Sequence, residues 1–508
     1  MKKIVIIGAG TAGVTLSLRL LQETKNCEIT LLDAGPNVEH GDRRKWLDFV
    51  ARGPSFDPYE NLKDRKNDQE LIGEEVLSIR GSRYFGVGGS TNVWGGWCVR
   101  FKPEDFLLET NANRGLDWPY QYETLEPYYK KAEETLWVAG QDKPHSPLPY
   151  TLKDGVIIET FEKLGIKNYE PLPLARKEEC LTIGTCKYCP IRKRYIAQDD
   201  LDHIQNVYSD RFKLINSTTV TSVRTQSKSV CSTITTFNCS TQESGEMDAD
   251  LFVITSGAIE SAKLLLSSTS TDWPNGIGNN SENVGKHITA HPLVRVVGQR
   301  KSNPDYLEQP VDFPTLACRE YDTTEEQRTG KLFFVRDGRK NYTSVETEVL
   351  NGRSIPHIRN SMRDLLNFEL RGFIEIFSHE DNWIGLGSGK SYFGGKNTKI
   401  QFRKTSETIN AVSAAEEKLT DILRAANCEN IEIKTYNTIR ADHATSTCRM
   451  SKDVNLGVVD ENLLVHGTKN LFICSNAVMP NGSAVNPTLT LIALTEKLSE
   501  FLVKSQNI

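Results

Sequence analysis

The sequence lacks several features that would place it in a specialised class of protein. No apolar run of about eighteen residues occurs, so a membrane-spanning helix is not expected. Basic residues are not in excess, because 61 Lys and Arg stand against 66 Asp and Glu, a net charge of −5. That balance does not favour nucleic acid or an anionic membrane as a partner. Internal repeats and low-complexity tracts are missing too, which excludes a fibrous repeat protein.

Cysteine is present but is not arranged as a disulfide framework. The chain has 11 Cys, an odd number, and most of them are scattered. This distribution is typical of free thiols in a reducing compartment. The apolar start at residues 5–7 runs directly into a glycine turn and not into a signal cleavage site. We therefore expect a cytoplasmic protein.

What the sequence does contain is typical of a large globular protein. Its 508 residues are 38% hydrophobic and 25% charged, enough to bury a sizeable core. At roughly 150 residues per domain, the length corresponds to about three domains or to one fold with insertions. The chain opens with a predicted β-α-β unit, because apolar runs at residues 3–7 and 27–32 flank a helical pattern at 11–23.

The first turn of this unit carries the pattern G-x-G-x-x-G, formed by Gly8, Gly10 and Gly13. The first glycine permits the tight turn, the second lets backbone approach a pyrophosphate, and the third permits close helix–strand packing. Unpaired N–H groups at the helix N-terminus then face the phosphates. Asp33 follows the second strand and is placed to accept hydrogen bonds from an adenosine ribose. The motif predicts a dinucleotide site without separating FAD from NAD.

Further elements follow from the same periodicity arguments. Residues 145–210 read as a long excursion rich in Pro, Lys and Cys, and Phe212–Asp250 alternates like a β meander. The remaining predictions are strands at Leu251–Thr255, Leu293–Val297, Phe373–Phe377, Ile400–Arg403 and Leu471–Cys474, and helices at Trp118–Trp137, Glu260–Leu266, Ala414–Ala426 and Leu489–Lys504.

Two more segments resemble a known family. Residues 86–96 read GVGGSTNVWGG, and residues 443–494 contain HATSTCRM, GVVD, NLFI and VNPTLT. With the glycine turn, they resemble the glucose–methanol–choline (GMC) family of FAD-dependent oxidoreductases. The NPTLT ending looks most like pyranose oxidases and related bacterial sugar and alcohol dehydrogenases. A nicotinamide-dependent enzyme would leave this C-terminal segment without a role, so the resemblance implies FAD.

The resemblance also implies an architecture, an α/β fold that is α+β overall. A Rossmann-type FAD-binding domain would be assembled from residues 1–291 and 441–508, with a Cys-containing excursion at about 145–210. A substrate-binding domain built on an antiparallel sheet would span residues 292–440.

Cofactor contacts are implied at positions that match the family's motifs. Beside the glycine turn and Asp33, they are Gly88, Gly89, Ser90, Asn92, Gly257, Asn476, Ala477, Pro487 and Thr488. Val93 stands where some relatives carry the histidine that bonds FAD covalently, so we predict non-covalent FAD. Two positions depart from the family pattern: Ser446 replaces a glycine, and Asn476 lies in a segment where many relatives carry an aspartate.

Oxidation of an alcohol removes a hydroxyl proton and a hydride from the same carbon. The hydride can pass to flavin N5, but the proton needs a base, and histidine, with a pKa of about 6.5, is best suited. The family's catalytic positions read His443 and Asn486 here. The resemblance implies that His443 takes the proton and that Asn486 hydrogen-bonds the substrate oxygen. A buried structural histidine is the alternative for His443.

His287 and His291, four residues apart, would share a helix face and could ligate a metal, but two histidines of the core or flavin domain are the favoured interpretation. Cys180, Cys186 and Cys189 lie within ten residues. Close thiols can hold a soft metal or an iron–sulfur cluster, and some bacterial GMC dehydrogenases carry a cluster in a similar insertion. Because a fourth local ligand is absent, structural thiols, with or without a Cys186–Cys189 disulfide, are favoured and no metal is predicted.

The sequence therefore predicts FAD-dependent oxidation of a C–OH group of a sugar, a glycosylated metabolite or another polar alcohol. Oxygen or an electron carrier would accept the electrons. Two alternatives stay open: a GMC-fold lyase without net oxidation, and an electron-transfer subunit centred on the cysteines. Phe373, Glu375, Phe377 and Trp383 are candidates for lining the substrate pocket.

Overall fold

The secondary structure comes from a computed structural model that describes residues 1–40, 43–52, 59, 62–63, 68–177, 180, 188–301, 313–321, 330–336, 349–358 and 365–505. The helices are α1 Thr11–Glu23, α2 Arg43–Arg52, α3 Leu108–Ala112, α4 Tyr122–Thr135, α5 Leu152–Lys163, α6 Ala197–Val207, α7 Gly257–Ser267, α8 Ser406–Ala425 and α9 Thr488–Ser505. The strands are β1 Lys2–Ile7, β2 Cys27–Leu32, β3 Gln69–Leu71, β4 Leu77–Ser78, β5 Val138–Ala139, β6 Tyr169–Pro171, β7 Leu174–Ala175, β8 Phe212–Ile215, β9 Thr218–Ser227, β10 Val230–Asn238, β11 Ser244–Asp248, β12 Leu251–Ile254, β13 Leu293–Lys301, β14 Leu316–Tyr321, β15 Gly330–Arg336, β16 Leu365–Ile374, β17 Trp383–Lys390, β18 Lys396–Gln401, β19 Glu429–Ile433, β20 Ile439–Arg440 and β21 Leu471–Ile473.

A five-stranded parallel sheet forms the centre of the larger hydrophobic core, in the order β21-β12-β1-β2-β8. Its inner strands are continuous apolar runs, and the side chains of Ile4–Ile7 and Leu251–Ile254 are almost fully buried. This burial is expected of parallel strands that are covered on both faces. Helix α1 connects β1 to β2 and packs against α9 at the end of the chain, so N-terminal and C-terminal segments build one layer.

A second, six-stranded sheet is antiparallel throughout, in the order β19-β13-β16-β15-β14-β6. Helix α8 covers it and packs on β13 and β16 around a separate hydrophobic core. A parallel sheet and an antiparallel sheet in one chain confirm the predicted fold class. The predicted domain boundaries stay a prediction, and strand β6, which lies in the excursion, pairs with β14 of the antiparallel sheet.

Several helices and strands begin or end at residues other than those predicted, because local capping and strand pairing determine their boundaries. Helix α8 begins at Ser406 and not at Ala414, because the Thr405 side chain accepts a hydrogen bond from the Thr408 N–H and caps the helix there. Strand β16 ends at Ile374, so the prediction of a strand over Phe373–Phe377 was largely wrong. The strand extends in the other direction because all nine residues of β13 pair with it.

No helix among the described residues combines the length and the hydropathy that crossing a lipid bilayer requires.

A buried ion pair links strand β14 of the antiparallel sheet to Asp105, which lies in the short 3₁₀ helix Pro103–Phe106. Arg319 of β14 donates through Nη2 to the Asp105 carboxylate at 2.9 Å, and the two side chains are 5% and 0% exposed. The same guanidinium donates to the Arg100 carbonyl at 2.9 Å and to Ser483 Oγ at 3.3 Å. Asn481 Nδ2 donates to the Asp105 carbonyl at 2.8 Å. Asp105 and Arg319 thus fix the loop that precedes α9.

Arg319→Met should lower the free energy of unfolding by about 3–5 kcal/mol, because it leaves the Asp105 carboxylate buried without its cation. The double variant Arg319→Met/Asp105→Leu should lose less, since no buried charge is left unpaired. Urea denaturation followed by tryptophan fluorescence measures both. Equal losses in the two variants would show that the ion pair is not what holds these segments together.

Candidate active site

A cleft of about 850 Å³ opens where the carboxyl ends of the parallel strands meet. Ile7, Leu32 and Thr255, which end or follow β1, β2 and β12, line it. Ligands of open α/β sheets bind outside the carboxyl ends of the strands. The volume also lies in the range of roughly 300–1,000 Å³ that is typical of cofactor and substrate sites.

The glycine turn between β1 and α1 forms one wall of this cleft. A Cβ on Gly13 would lie 2.0 Å from the Gly8 carbonyl oxygen, so the helix can approach the strand only through glycine. Gly8 itself has a φ of +117°, and a Cβ there would lie 2.8 Å from the Thr255 carbonyl oxygen. A Cβ on Gly10, in contrast, would meet no atom of the described part of the chain within 4 Å. Gly8 and Gly13 therefore serve the fold, and Gly10 leaves space in the cleft.

Asp33 lies beside this turn. Its carboxylate accepts hydrogen bonds from the backbone N–H groups of Ala9 and Gly35, both at 2.9 Å. Burial raises the pKa of the Asp33 carboxyl to about 6, against the opposing effect of these two hydrogen bonds. The two bonds hold the carboxylate at the edge of the cleft, where each oxygen keeps further acceptor capacity.

The turn at Gly88–Asn92 packs directly on the glycine turn. The Gly88 N–H donates to the Ala9 carbonyl at 2.8 Å, and a Cβ on Gly89 would lie 3.0 Å from Gly10 Cα. Gly89 and Ser90 line the cleft. Gly88 and Asn92 lie behind that wall, and Asn92 Nδ2 donates to the Val87 carbonyl at 3.0 Å.

Residues of the C-terminal segment also line the cleft. Of its predicted cofactor residues, Asn476 and Thr488 line the cleft together with Gly257, whereas Ala477 and Pro487 do not. Oδ1 of Asn476 is buried and has no hydrogen-bond partner among the described residues. The Ser446 turn keeps the left-handed conformation that glycine favours, with a φ of +73°.

His443 and Asn486 meet in the cleft, and both line it. His443 ends a short 3₁₀ helix, Ala441–His443, and Asn486 directly precedes the Pro-Thr start of α9. Asn486 Nδ2 lies 2.9 Å from His443 Nε2. Burial, with Arg440 nearby, lowers the pKa of His443 to about 4, so the imidazole is neutral at pH 7.

His291 lies behind His443, on the side away from Asn486. The Nδ1 atoms of the two histidines are 3.1 Å apart, and His291 Nε2 is 3.3 Å from the Gly482 carbonyl oxygen. Burial, together with His443, lowers the pKa of His291 to about 3. Sequence reasoning missed this partner of His443. The only local signal was its spacing from His287, and neither residue lies on a helix.

An aromatic cluster completes the surroundings of His443. The Phe373 ring lies 5.0 Å from the His443 ring and 5.7 Å from Trp97, which lines the cleft. Phe373 is the candidate pocket residue that contacts the site. Neither Phe373 nor the other candidates, Glu375, Phe377 and Trp383, are among the residues that line the cleft.

The cysteine-bearing excursion supports the cleft from outside. Arg176 and Arg194 pair across its base, and both are buried. Arg176 donates to the Gly95 carbonyl at 2.9 Å, and Arg194 donates to the Asn92 carbonyl at 2.7 Å and to the Trp94 carbonyl. Together they hold the loop that carries Val93 and Trp94 into the cleft.

The cysteines themselves show no cluster in the described part of the chain. Cys180 and Cys189 are free thiols, so the structure does not contain the alternative Cys186–Cys189 disulfide. Cys186 lies outside the described residues. No group of three or more His, Cys, Asp or Glu side chains among the described residues is arranged to hold a metal ion.

The residues of the cleft fit a flavin dinucleotide. Open space at Gly10, a helix N-terminus at Thr11 and an acidic side chain at Asp33 suit the pyrophosphate and ribose. The unpartnered Asn476 Oδ1 offers an acceptor to a polar ligand. Fold and cleft together are those of a dinucleotide-dependent oxidoreductase, and the cleft wall includes a histidine–asparagine pair.

Comparison with known families identifies the particular class. Residues 2–293 match the N-terminal family model of the GMC oxidoreductases, and residues 379–495 match the C-terminal one. Since the first model alone covers more than half of the chain, the protein belongs to the GMC oxidoreductase family. It is thus an FAD-dependent oxidoreductase of the alcohol- and sugar-oxidising type.

Curated relatives and solved structures agree with this assignment. The chain is 25% identical to the fructose dehydrogenase large subunit of Gluconobacter japonicus, over 98% of this chain and 97% of that protein. It is 23% identical to 6'''-hydroxyparomomycin C oxidase of Streptomyces lividus, over 80% and 76% respectively. Pyridoxine 4-oxidase from Mesorbium loti shares the fold, with a TM-score of 0.66, 17% identity and 99% of each chain covered.

The buried histidines make stability depend on pH. Burial, with Arg449 and Lys286 nearby, lowers the pKa of His287 to about 3. The unfolded chain binds a proton there below a pH of about 6.5 and the folded chain does not, so stability falls as pH decreases.

His287→Asn, in which asparagine tolerates the φ of +66° at this position, should reduce this dependence. Between pH 7.5 and pH 5, the wild type should lose about 2 kcal/mol more free energy of unfolding than the variant, because a single histidine titrates only in the unfolded state. Urea titrations at both pH values measure the difference. Equal losses would show that His287 is protonated in the folded protein.

Proposed function

We propose that this protein oxidises a C–OH group of a sugar, a glycosylated metabolite or another polar alcohol, with His443 as the base that removes the hydroxyl proton. The observation that carries the proposal is the contact between His443 Nε2 and Asn486 Nδ2, 2.9 Å apart on the wall of the cleft. A substrate hydroxyl that takes the place of this contact can accept from Asn486 and donate to His443 at the same time.

The protonation state of His443 supports this role. Its lowered pKa keeps the imidazole neutral, so Nε2 has a lone pair ready for the proton. Bound FAD would supply the acceptor for the hydride at N5. Asn486 orients the substrate oxygen, and its rigid placement beside Pro487 restricts the hydroxyl to one position.

We further propose that FAD is held by Gly8, Gly10, Gly89, Ser90, Asp33, Gly257, Asn476 and Thr488, which line the cleft, with Gly13, Gly88, Asn92, Ala477 and Pro487 supporting them from behind. Binding is non-covalent, because Val93 lines the cleft at the attachment position of some relatives and valine has no atom that can form the bond.

Two observations support a sugar-like substrate. The relatives include proteins named for fructose and for a hydroxyparomomycin, which are polyhydroxylated molecules. Trp97 lines the cleft and contacts Phe373, whose ring lies 5.0 Å from that of His443, and an aromatic face such as that of Trp97 can pack against the apolar face of a sugar ring. Oxygen or an electron carrier would take up the electrons afterwards. A cytoplasmic location fits the ten free thiols among the described residues.

Gly10→Ala tests the cofactor site without disturbing the protein. The added methyl group meets no atom of the residues that the structure describes, so the urea midpoint of the apoprotein should not change, whereas FAD affinity should fall at least about tenfold. Gly155→Ala is the matched control, because its methyl group also meets no atom within 4 Å but lies on α5, away from the cleft. Titration of apoprotein with FAD, followed by flavin fluorescence, measures affinity. Unchanged affinity in Gly10→Ala would place the cofactor elsewhere.

The reaction itself is tested by mixing the FAD-loaded protein anaerobically with pooled sugars and polar alcohols. The oxidised-flavin bands should disappear in the wild type, and His443→Ala should slow their loss about 10²–10⁴-fold while keeping FAD bound. The wild-type rate should not fall between pH 8 and pH 6, because His443 is unprotonated throughout this interval.

The control variant is His379→Ala. The side chain of His379 is half exposed, and this variant should react like the wild type. Flavin reduction at the wild-type rate in His443→Ala would show that His443 is not the base.

A further inference from the structure

The buried side chain of His291 contacts the proposed base, His443, but the proposed function gives it no role. It is 5% exposed, and it contacts His443 on the face opposite to Asn486. We propose that His291 is a positioning residue: it fixes the proton of His443 on Nδ1 and thereby leaves Nε2 of His443 as the base. This inference rests on the proposed function and concerns the same site.

The proton positions follow from one fixed acceptor. A backbone carbonyl can only accept, so the contact between His291 Nε2 and the Gly482 oxygen at 3.3 Å requires the hydrogen on Nε2 of His291. Neutral His291 then has a lone pair on Nδ1. The 3.1 Å contact between the two Nδ1 atoms therefore requires the hydrogen on Nδ1 of His443. Neutral His443 is left with a lone pair on Nε2, which faces the Asn486 amide at 2.9 Å.

The Gly482 carbonyl, at which this series of hydrogen bonds begins, is itself held in place. A Cβ on Gly482 would lie 3.0 Å from Thr289 Oγ1 and 3.1 Å from Thr445 Oγ1, so the backbone packs closely there. The next residue, Ser483, has a φ of +51° and accepts from Arg319 at 3.3 Å. The Gly482 oxygen is therefore a fixed reference for the proton on His291.

The His443 ring is also confined sterically. His291 lies 5.0 Å from it, edge to face, and Phe373 lies 5.0 Å from it in the same manner. A ring flip that exchanged Nδ1 for Cδ2 would place a carbon against His291 Nδ1 and break the hydrogen bond. Confinement and hydrogen bonding thus select both one orientation and one tautomer of the base.

Three variants separate positioning from simple packing. His291→Asn keeps an acceptor, because its amide oxygen reaches the place of the ring Nδ1. His291→Gln places its amide at the position of Nε2, so it can bond to Gly482 but not to His443. His291→Phe keeps the volume and removes both hydrogen bonds. Each FAD-bound protein is labelled with ¹⁵N-histidine, and long-range ¹H–¹⁵N spectra show which nitrogen of His443 carries the proton. The signals of His443 are identified by their absence from the spectrum of the His443→Ala variant.

We expect a single Nδ1–H tautomer of His443 in the wild type and in His291→Asn, and a mixture of tautomers in His291→Gln and His291→Phe. The rate of anaerobic flavin reduction should fall about 10–100-fold in His291→Gln and His291→Phe, and less than about tenfold in His291→Asn. An Nε2–H tautomer in the wild type would overturn the proposal. Equal losses of rate in all three variants, with the wild-type tautomer kept, would do the same.

Failure of the proposed function gives a different result. If His443→Ala reduced the flavin as fast as the wild type, the base would be wrong. The tautomer spectra would still decide whether His291 fixes the ring, because they do not depend on turnover.

Discussion

The hydrogen-bond chain from the Gly482 carbonyl through His291 and His443 to Asn486 is the constraint on which this site depends. Its members come from segments that are distant in sequence. His291 precedes the antiparallel strand β13, and His443 follows β20, while Asn486 precedes the helix that packs against α1. The parallel sheet, the antiparallel sheet and the C-terminal helix must therefore all be in place before His443 and Asn486 meet. The buried pair Asp105–Arg319 serves that requirement, since it ties β14 to the loop that carries Gly482.

Local chemistry accounts for what could be predicted. The β-α-β unit was predictable because its strands are apolar runs and its turn needs glycine at two positions for steric reasons that involve neighbouring backbone. Family membership followed from motifs at both ends of the chain, and comparison with known families confirmed it. The motifs also led to His443 and Asn486, which the fold brings to 2.9 Å from each other across 43 residues of sequence.

Contacts between segments that are distant in sequence account for the features that could not be predicted. His291 contacts a partner 152 residues away, and no local pattern distinguishes such a histidine from one buried in a core. Likewise, the excursion gave no sign that Arg176 and Arg194 hold the carbonyl groups of the Asn92–Gly95 segment, or that β6 joins the antiparallel sheet. These contacts use ordinary side chains whose roles arise only from the packing of distant segments.

The most direct test of the account is a single anaerobic turnover with a known amount of bound FAD and an excess of the alcohol found by screening. Carbonyl product is counted by mass spectrometry, and reduced flavin by absorbance. The account predicts one carbonyl product for each flavin reduced, and then no further product until an electron acceptor is added. Continued formation of product while the flavin stays oxidised would contradict it, because the protein would then transform its substrate without net oxidation.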